Sequence, residues 1–267
     1  MMTDIIRADL ETDVWERLER VTDPELDEPV TEMGFVERVE VIDARRVEVD
    51  FRLPTYWCSP NFAFLMAFGI RREIDAMPWV REARVTLRDH CFGDEVNAGV
   101  NSGRPFSEVF SEYCNGADLA EVTATFLAKA YDRRQESVLL ALRRRGLAAG
   151  DLVGMSLRAF DRVTFDTAEE ARQAARYRDL LVSRGLVRGP EDPAFPTWDG
   201  RPIAEDAFPA HLDRLRGTRI NMEFNGALCR GLASVRYKEV RVAEDGPTLV
   251  DFLLDRVPPR HEAAARK

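Results

Sequence analysis

The sequence predicts an α+β protein: a small α-β-β-α-β domain with a three-stranded mixed sheet over residues 1–116, then a mainly helical α+β module over 117–267. Three observations lead there. Two short runs, "FVERVEVID" and "RVEVDFRL", alternate apolar and polar residues and are joined by "DARR". A stretch with helical apolar spacing then separates them from a third extended run, "PWVREARVTL". From Asp118 onward extended runs give way to long segments of helical spacing.

The elements follow in order. "DLETDVWERLERV" sets Leu10, Val14, Leu18 and Val21 at helical spacing, so it forms a first amphipathic helix. The prolines and acidic residues of "TDPELDEPVTEMG" end it as a loop. In the second strand Val47, Val49, Phe51 and Leu53 share one face, and the short "DARR" suits a hairpin turn. Ser59-Pro60-Asn61 supplies cap chemistry with proline in the first turn, and Phe62, Leu65, Met66, Ile70 and Ile74 mark the buried side of the helix that follows. The third strand ends at Asp89. "CFGDEVNAGVNSGRP" is expected as a long loop, with a short helix around "FSEVFSEYC". Beyond it, "DLAEVTATFLAKAYDRRQESVLLALRRRG" reads as one long helix or two, stopped by Gly146. "LVGMSLRAFDRVTF" reads as a strand pair, "TAEEARQAARYRDLLVSRG" as a helix ending at Gly185, and "GPEDPAFPTWDGRP" as loop. "AHLDRLRG", "INMEFNGALCRGLASVRYKEVRV" and "TLVDFLLDRV" are separate closing segments before a frayed tail.

Composition narrows the function classes. At 267 residues, with 45% hydrophobic and 32% charged side chains, the chain can bury a sizeable core. No apolar run approaches the roughly 18 residues a membrane span needs, and the start lacks the regions of a signal peptide. Four unpatterned cysteines are too few for a disulfide scaffold, so a reducing cytoplasm is expected. Charge is uneven: residues 1–116 hold 13 Arg, no Lys and 24 acidic residues, a net −11, while the remainder carries +2 of the total −9. That front half does not match a nucleic-acid footprint. It fits a protein partner, a cation, or an acidic solvated surface.

The chemistry-bearing residues converge through topology. A strand, a helix and a second strand in one sheet form a right-handed parallel crossover, which puts the carboxyl ends of strands two and three on one edge. Cys58 lies just past the first of those ends, and His90 and Cys91 just past the other. The loop feeding strand one brings Asp23, Glu25, Asp27 and Glu28 to the same rim. Ligand sites in open sheets favour such edges. A thiolate beside an imidazole and a second thiol suits iron or zinc, and the carboxylates shift the preference toward iron. The helix start after Cys58 favours the thiolate, and His90 is expected to donate its other ring N–H to Asp89 or a loop carboxylate. Adjacent strand residues face opposite ways, so His90 and Cys91 can share one ion only if the backbone turns there. The bland readings are a buried hydrophobe for each cysteine, Cys114 and Cys229 above all, and strand-end polar residues for His90-Cys91. A Cys58–His90 dyad oriented by Asp89 is a competing catalytic reading. No nucleophile elbow, phosphate loop or dinucleotide fingerprint appears.

"VTDPELDEPVTEMGFVERVEV", "VEVDFRLPTYWCSPNFAFL" and "MPWVREARVTL" together resemble the SufT/PaaD-like iron–sulfur cluster assembly domain, over roughly residues 10–100. Asp23-Pro24-Glu25, Gly34 and Cys58 match its pattern in order. The resemblance implies a small α+β domain used in cluster assembly or carriage, or in targeting iron–sulfur centres to client proteins, with the family's reactive cysteine at Cys58 and its acidic turn at Asp23 and Glu25. The sequence departs from that pattern in Cys58-Ser59-Pro60, where Cys-Pro is usual, and in Asp89-His90-Cys91. Longer relatives look like accessory proteins of di-iron monooxygenases. The expectation is a cytoplasmic maturation factor that passes iron or a small cluster to a client metalloenzyme or a cluster-assembly protein. Cys58, His90 and Cys91 would hold the cargo, and Asp23 and Glu25 would shape the loop or add an oxygen ligand. Zinc fits the same donors. The second half would recognise the client or form a homodimer; neither nucleic acid nor a membrane is an expected partner. A metal-free adaptor and a metal- or thiol-dependent enzyme are the alternatives.

Overall fold

Alternation, crossover and capping act together in the computed structural model, which describes residues 4–43, 45–114 and 119–236. The expected boundary at 116–117, the side chain of Cys114 and the closing segment and tail after 236 lie outside the described residues. The described chain divides into two units. One runs to Leu119 and regains the chain at Asn225; the other is Ala120–Phe224.

The first unit is mixed α+β. Helix α1 (Asp4–Leu18) buries Val14 and Leu18. Strands β1 (Val36–Val41) and β2 (Arg46–Arg52) pair antiparallel, with Val39 opposite Val49. Gly34, at φ 69°, turns the chain into β1 where a Cβ would be strained. After β2 the chain climbs helix α2 (Pro60–Asp75) and returns as β3 (Glu82–Arg88), parallel to β2 with Val49 opposite Val85. The order is β1-β2-β3. Val47, Val49 and Phe51 are completely buried, as are Ile70 and Ile74 of α2, and each such side chain contributes about 1.5–3 kcal/mol relative to exposure. Phe62 and Leu65 are only partly buried; Ala63, Phe64 and Ala67 take the more central places. The opposite face of the sheet is charged. There Asp50, 4% exposed, accepts from Arg38 Nε at 2.8 Å and Arg88 at 2.7 Å. Burial pushes that carboxyl up, and the two guanidinium hydrogen bonds outweigh it and hold it below the ordinary value.

The expected long loop after β3 is instead helix α3 (Gly93–Asn101), followed by the short α4 (Phe106–Val109) and α5 (Ser111–Cys114). The reason is tertiary. Strand β3 is an edge, and two asparagines one turn apart on α3 satisfy it. Asn97 accepts from Leu87 N–H at 2.7 Å and donates to Leu87 C=O at 3.0 Å. Asn101 does the same for Val85, at 2.9 and 2.8 Å. Two side-chain amides thus stand in for a fourth strand. Gly99, between them, has no room for a side chain, since a Cβ would run into Val109.

The second unit is helical. Helix α6 (Ala120–Arg144) stops at Gly146, φ 91°, and packs on α9 (Ala168–Ser183), which Thr167 caps through Glu170 N–H at 3.1 Å. The expected strand pair at 152–165 is instead α7 (Ala149–Val153) and α8 (Leu157–Phe160), with Ser156 capping α8 through Ala159 N–H. Only an isolated Ser156–Pro193 bridge there is extended. Tyr131, Gln135 and Tyr177 form a buried network in which Gln135 Nε2 donates to both hydroxyls at 3.0 Å. The first two of the expected closing segments, as far as residue 236, form one helix, α10 (Phe208–Arg236), continuous through Gly217. Its residues to Phe224 belong to this unit and those from Asn225 to the first.

Candidate functional site

Three segments of the first unit meet at the carboxyl edge of the sheet. The first is the acidic loop 22–29, closed by the Thr22–Pro29 bridge and by Asp23 N–H donating to Glu28 C=O at 2.9 Å. Asp23, 7% exposed, accepts through Oδ1 from the N–H groups of Glu25 and Leu26, both at 2.9 Å. Burial raises its pKa from 3.8 to about 6; the two N–H donors oppose this, and Glu25 and Glu28 add to it. Asp23 therefore shapes the loop, while remaining a buried carboxylate at neutral pH.

The second segment is the turn between β2 and α2. Cys58 is half-buried there and packs against the core of the unit. Trp57 beside it is 75% exposed. The helix start does not carry the thiol toward the thiolate as the sequence implies. Burial, the Asp23 charge and Cys229 push Cys58 up to about 12, and the Ser59 N–H only partly opposes them.

The third segment follows β3. Asp89, at φ 52°, reverses the chain, a left-handed turn that costs a non-glycine residue about 1 kcal/mol. It sends His90 inward, 7% exposed, and Cys91 outward to an exposed position. Cys91 N–H donates to Tyr56 C=O at 2.8 Å. His90 Nδ1 accepts from Phe92 N–H at 3.1 Å, which leaves Nε2–H to donate to Cys58 C=O at 2.9 Å. Asp89 pairs with Arg236 rather than with the imidazole. Both ring nitrogens are thus engaged by backbone, and His90 acts here as a brace for the Cys58 turn. Burial, with the Arg236 charge, lowers its pKa. The structure brings Cys58, His90 and Asp23 to one rim and turns Cys91 away from His90.

A fourth contributor escapes sequence reading. The end of α10 crosses the same rim. Asn225 Nδ2 donates to Glu25 Oε1 at 3.2 Å, Arg230 to Glu28 Oε2 at 2.6 Å, and Arg236 to Asp89 Oδ2 at 2.6 Å and Asp89 C=O at 2.8 Å. Cys229 stands between these anchors, half-buried, packed on the same core as Cys58, its thiol raised by burial and by Asp23 and Glu25. The sequence marks it only as a small apolar residue; the helical spacing of Asn225, Cys229 and Arg236 on one face is the signal that was there to find.

Among the described residues no group of three or more His, Cys, Asp and Glu side chains is placed to hold a metal ion as a closed site. Two thiols near one another are soft donors of the kind that soft or borderline ions prefer.

Comparisons with known proteins bear on the first unit. The family model described as "Iron-sulfur cluster assembly protein" matches residues 11–87, a stretch holding Asp23, Glu25, Gly34 and Cys58 and ending before His90. Over this stretch, under a third of the chain, the sequence has the pattern of a domain of that iron–sulfur cluster assembly family, which supports a role in cluster assembly in general. A crystal structure titled "Domain of Unknown Function DUF59 from Bacillus anthracis" is similar at 20% identity, over 32% of this chain and 79% of that one, with a TM-score of 0.30. No curated protein matches the chain. Among the described residues no helix is long and apolar enough to cross a membrane.

Proposed function

We propose that the first unit holds iron or a small iron–sulfur cluster in transit on Cys58 and passes it to a client metalloenzyme, such as a di-iron monooxygenase, or to another cluster-assembly protein, in the cytoplasm. The observation that carries this reading is the setting of Cys58 in the family-matched segment: a half-buried thiol braced by His90 and flanked by the exposed Trp57. A large exposed aromatic beside the cargo-holding thiol is what a receiving partner would dock against. Asp23 shapes the loop next to it, and the Asp23 and Glu25 carboxylates would supply an oxygen ligand if the loop rearranged around a bound ion. Zinc would be taken by the same sulfur. Client recognition or homodimer formation falls to residues 117–267.

The thiol-enzyme reading finds less support. The His90 Nε2–H is aimed at the Cys58 carbonyl, and Asp89 is engaged by Arg236, so no orienter, base and nucleophile are lined up. The test is anaerobic reconstitution with ferrous iron and sulfide, comparing wild type with Cys58→Ser. Wild type gains iron and visible absorbance, and the variant loses most of both. Equal iron in the two proteins refutes the reading.

A further inference from the structure

We propose that Cys229 is the second thiolate of this site, so that Cys58 from the β2–α2 turn and Cys229 from α10 together take one thiophilic metal ion of the cargo. The inference rests on Cys58 being the cargo-holding thiol. Geometry places Cys229 there. Asn225, Cys229 and Arg236 share one face of α10, with Cys229 about 6 Å along the axis from the first and about 10 Å from the last. Asn225 is tied to Glu25 of the acidic loop, and Arg236 to Asp89 and, at 3.5 Å, to Leu53 C=O at the end of β2. Those anchors are the acidic loop, whose Asp23 and Glu25 act on Cys58, and the strand ends next to the Cys58 turn, where His90 holds the Cys58 carbonyl. The stretch of helix carrying Cys229 is therefore tied close to the turn carrying Cys58, and Cys229 itself acts on the Cys58 thiol. Both thiols pack on the same core, and both feel the same buried Asp23 charge.

The chemistry follows from the pair. Two thiolates select soft or borderline ions, while leaving positions on the ion open for sulfide or for ligands of a receiving protein. As each metal–sulfur bond forms, one thiol proton goes to solvent; nothing is oxidised or reduced. Because the two sulfurs come from separate segments, moving α10 halves the grip on the ion and favours its release. Cys91, exposed and facing away, is outside the pair.

The test uses the full chain without oxygen, with cobalt(II) as an optical probe for thiolates and ferrous iron with sulfide as cargo. Wild type develops the near-ultraviolet sulfur-to-cobalt band; Cys58→Ser and Cys229→Ser each retain about half of it, and the double variant none. Iron loading falls several-fold in Cys229→Ser. Circular dichroism checks that the variants fold. A measurement on wild type needs no variant: ferrous iron slows alkylation of Cys58 and Cys229 together and leaves Cys91 unchanged. Full cobalt band and full iron in Cys229→Ser, with Cys229 unprotected and Cys58→Ser defective, would overturn this inference and leave Cys58 as the cargo thiol. Full loading of Cys58→Ser as well would overturn the cargo reading itself.

Discussion

Replacing Asp23 by asparagine separates what its carboxylate costs from what its oxygen does. The side chain is 7% exposed, and Oδ1 accepts from two N–H groups at 2.9 Å, a role the amide oxygen keeps. The folded-state pKa is raised to about 6 from 3.8, with burial the main cause. A group raised on folding contributes stability that is fully present below its unfolded value and lost as pH rises through its folded value. The span from 3.8 to about 6, at about 1.4 kcal/mol per tenfold change in proton affinity, makes roughly 3 kcal/mol lost between pH 4 and pH 7. Asn cannot ionise, so Asp23→Asn escapes that loss. Its amide NH2 is a new donor in a buried place and costs about 1–2 kcal/mol if left without an acceptor. The net expectation is a gain of about 1–2 kcal/mol at pH 8 that shrinks to nothing, or reverses, near pH 4.5. Urea unfolding at a series of pH values, with constant slope against denaturant, measures it. A change in stability of the same size and sign at pH 4.5 and pH 8 would refute the account, because it would mean that only the hydrogen bonds matter.

Two further outcomes follow from other contacts. Asn97→Ala and Asn101→Ala each uncover one N–H and one C=O on the β3 edge, so each variant loses about 1–3 kcal/mol by urea unfolding and the pair aggregates more readily on warming, by light scattering; wild-type stability in the double variant would show that water serves the edge equally well. Arg236→Ala removes the tie from α10 to Asp89, and Cys58 and Cys229 then alkylate several-fold faster while Cys91 keeps its rate; an unchanged Cys58 rate would mean that α10 does not shield it.

Much of the first unit is legible in its sequence because local patterning and topology point the same way. Alternation at Val47, Val49 and Phe51 marks the core strand, and the handed crossover through α2 brings the Cys58 turn and the end of β3 to one edge. What escapes depends on contacts distant in sequence. "GDEVNAGVN" has two glycines and two asparagines and little helix propensity; it is helical because Asn97 and Asn101 find the open edge of β3. "LVGMSLRAFDRVTF" has apolar residues enough for strands, yet Ser156 caps a helix there and no partner strand exists among the described residues. His90 is visible as a metal ligand by type, whereas its commitment to Phe92 N–H and Cys58 C=O depends on the left-handed turn at Asp89. Cys229 escapes because 171 positions separate it from Cys58, and only the path of α10 joins them.

The rim combines features that a chain selected for stability alone would avoid. A carboxylate is buried where an amide would serve, a non-glycine residue takes a left-handed turn, and a large indole is left in solvent. The buried carboxylate and the left-handed turn each cost on the order of 1–3 kcal/mol, against a total stability of about 5–15 kcal/mol for a domain. They also act on one another. The Asp23 charge, with burial, keeps Cys58 and Cys229 protonated and so slow to oxidise. The Asp89 turn gives Arg236 its anchor and gives His90 its hold on the Cys58 carbonyl. A metal cation brought to this rim would reverse the balance at once, because it is attracted by the same carboxylates that disfavour the thiolates and it displaces the thiol protons as it binds. On the proposed reading, the cost in stability is tied to a site that would be inert when empty and would become a sulfur ligand set as a cation arrives.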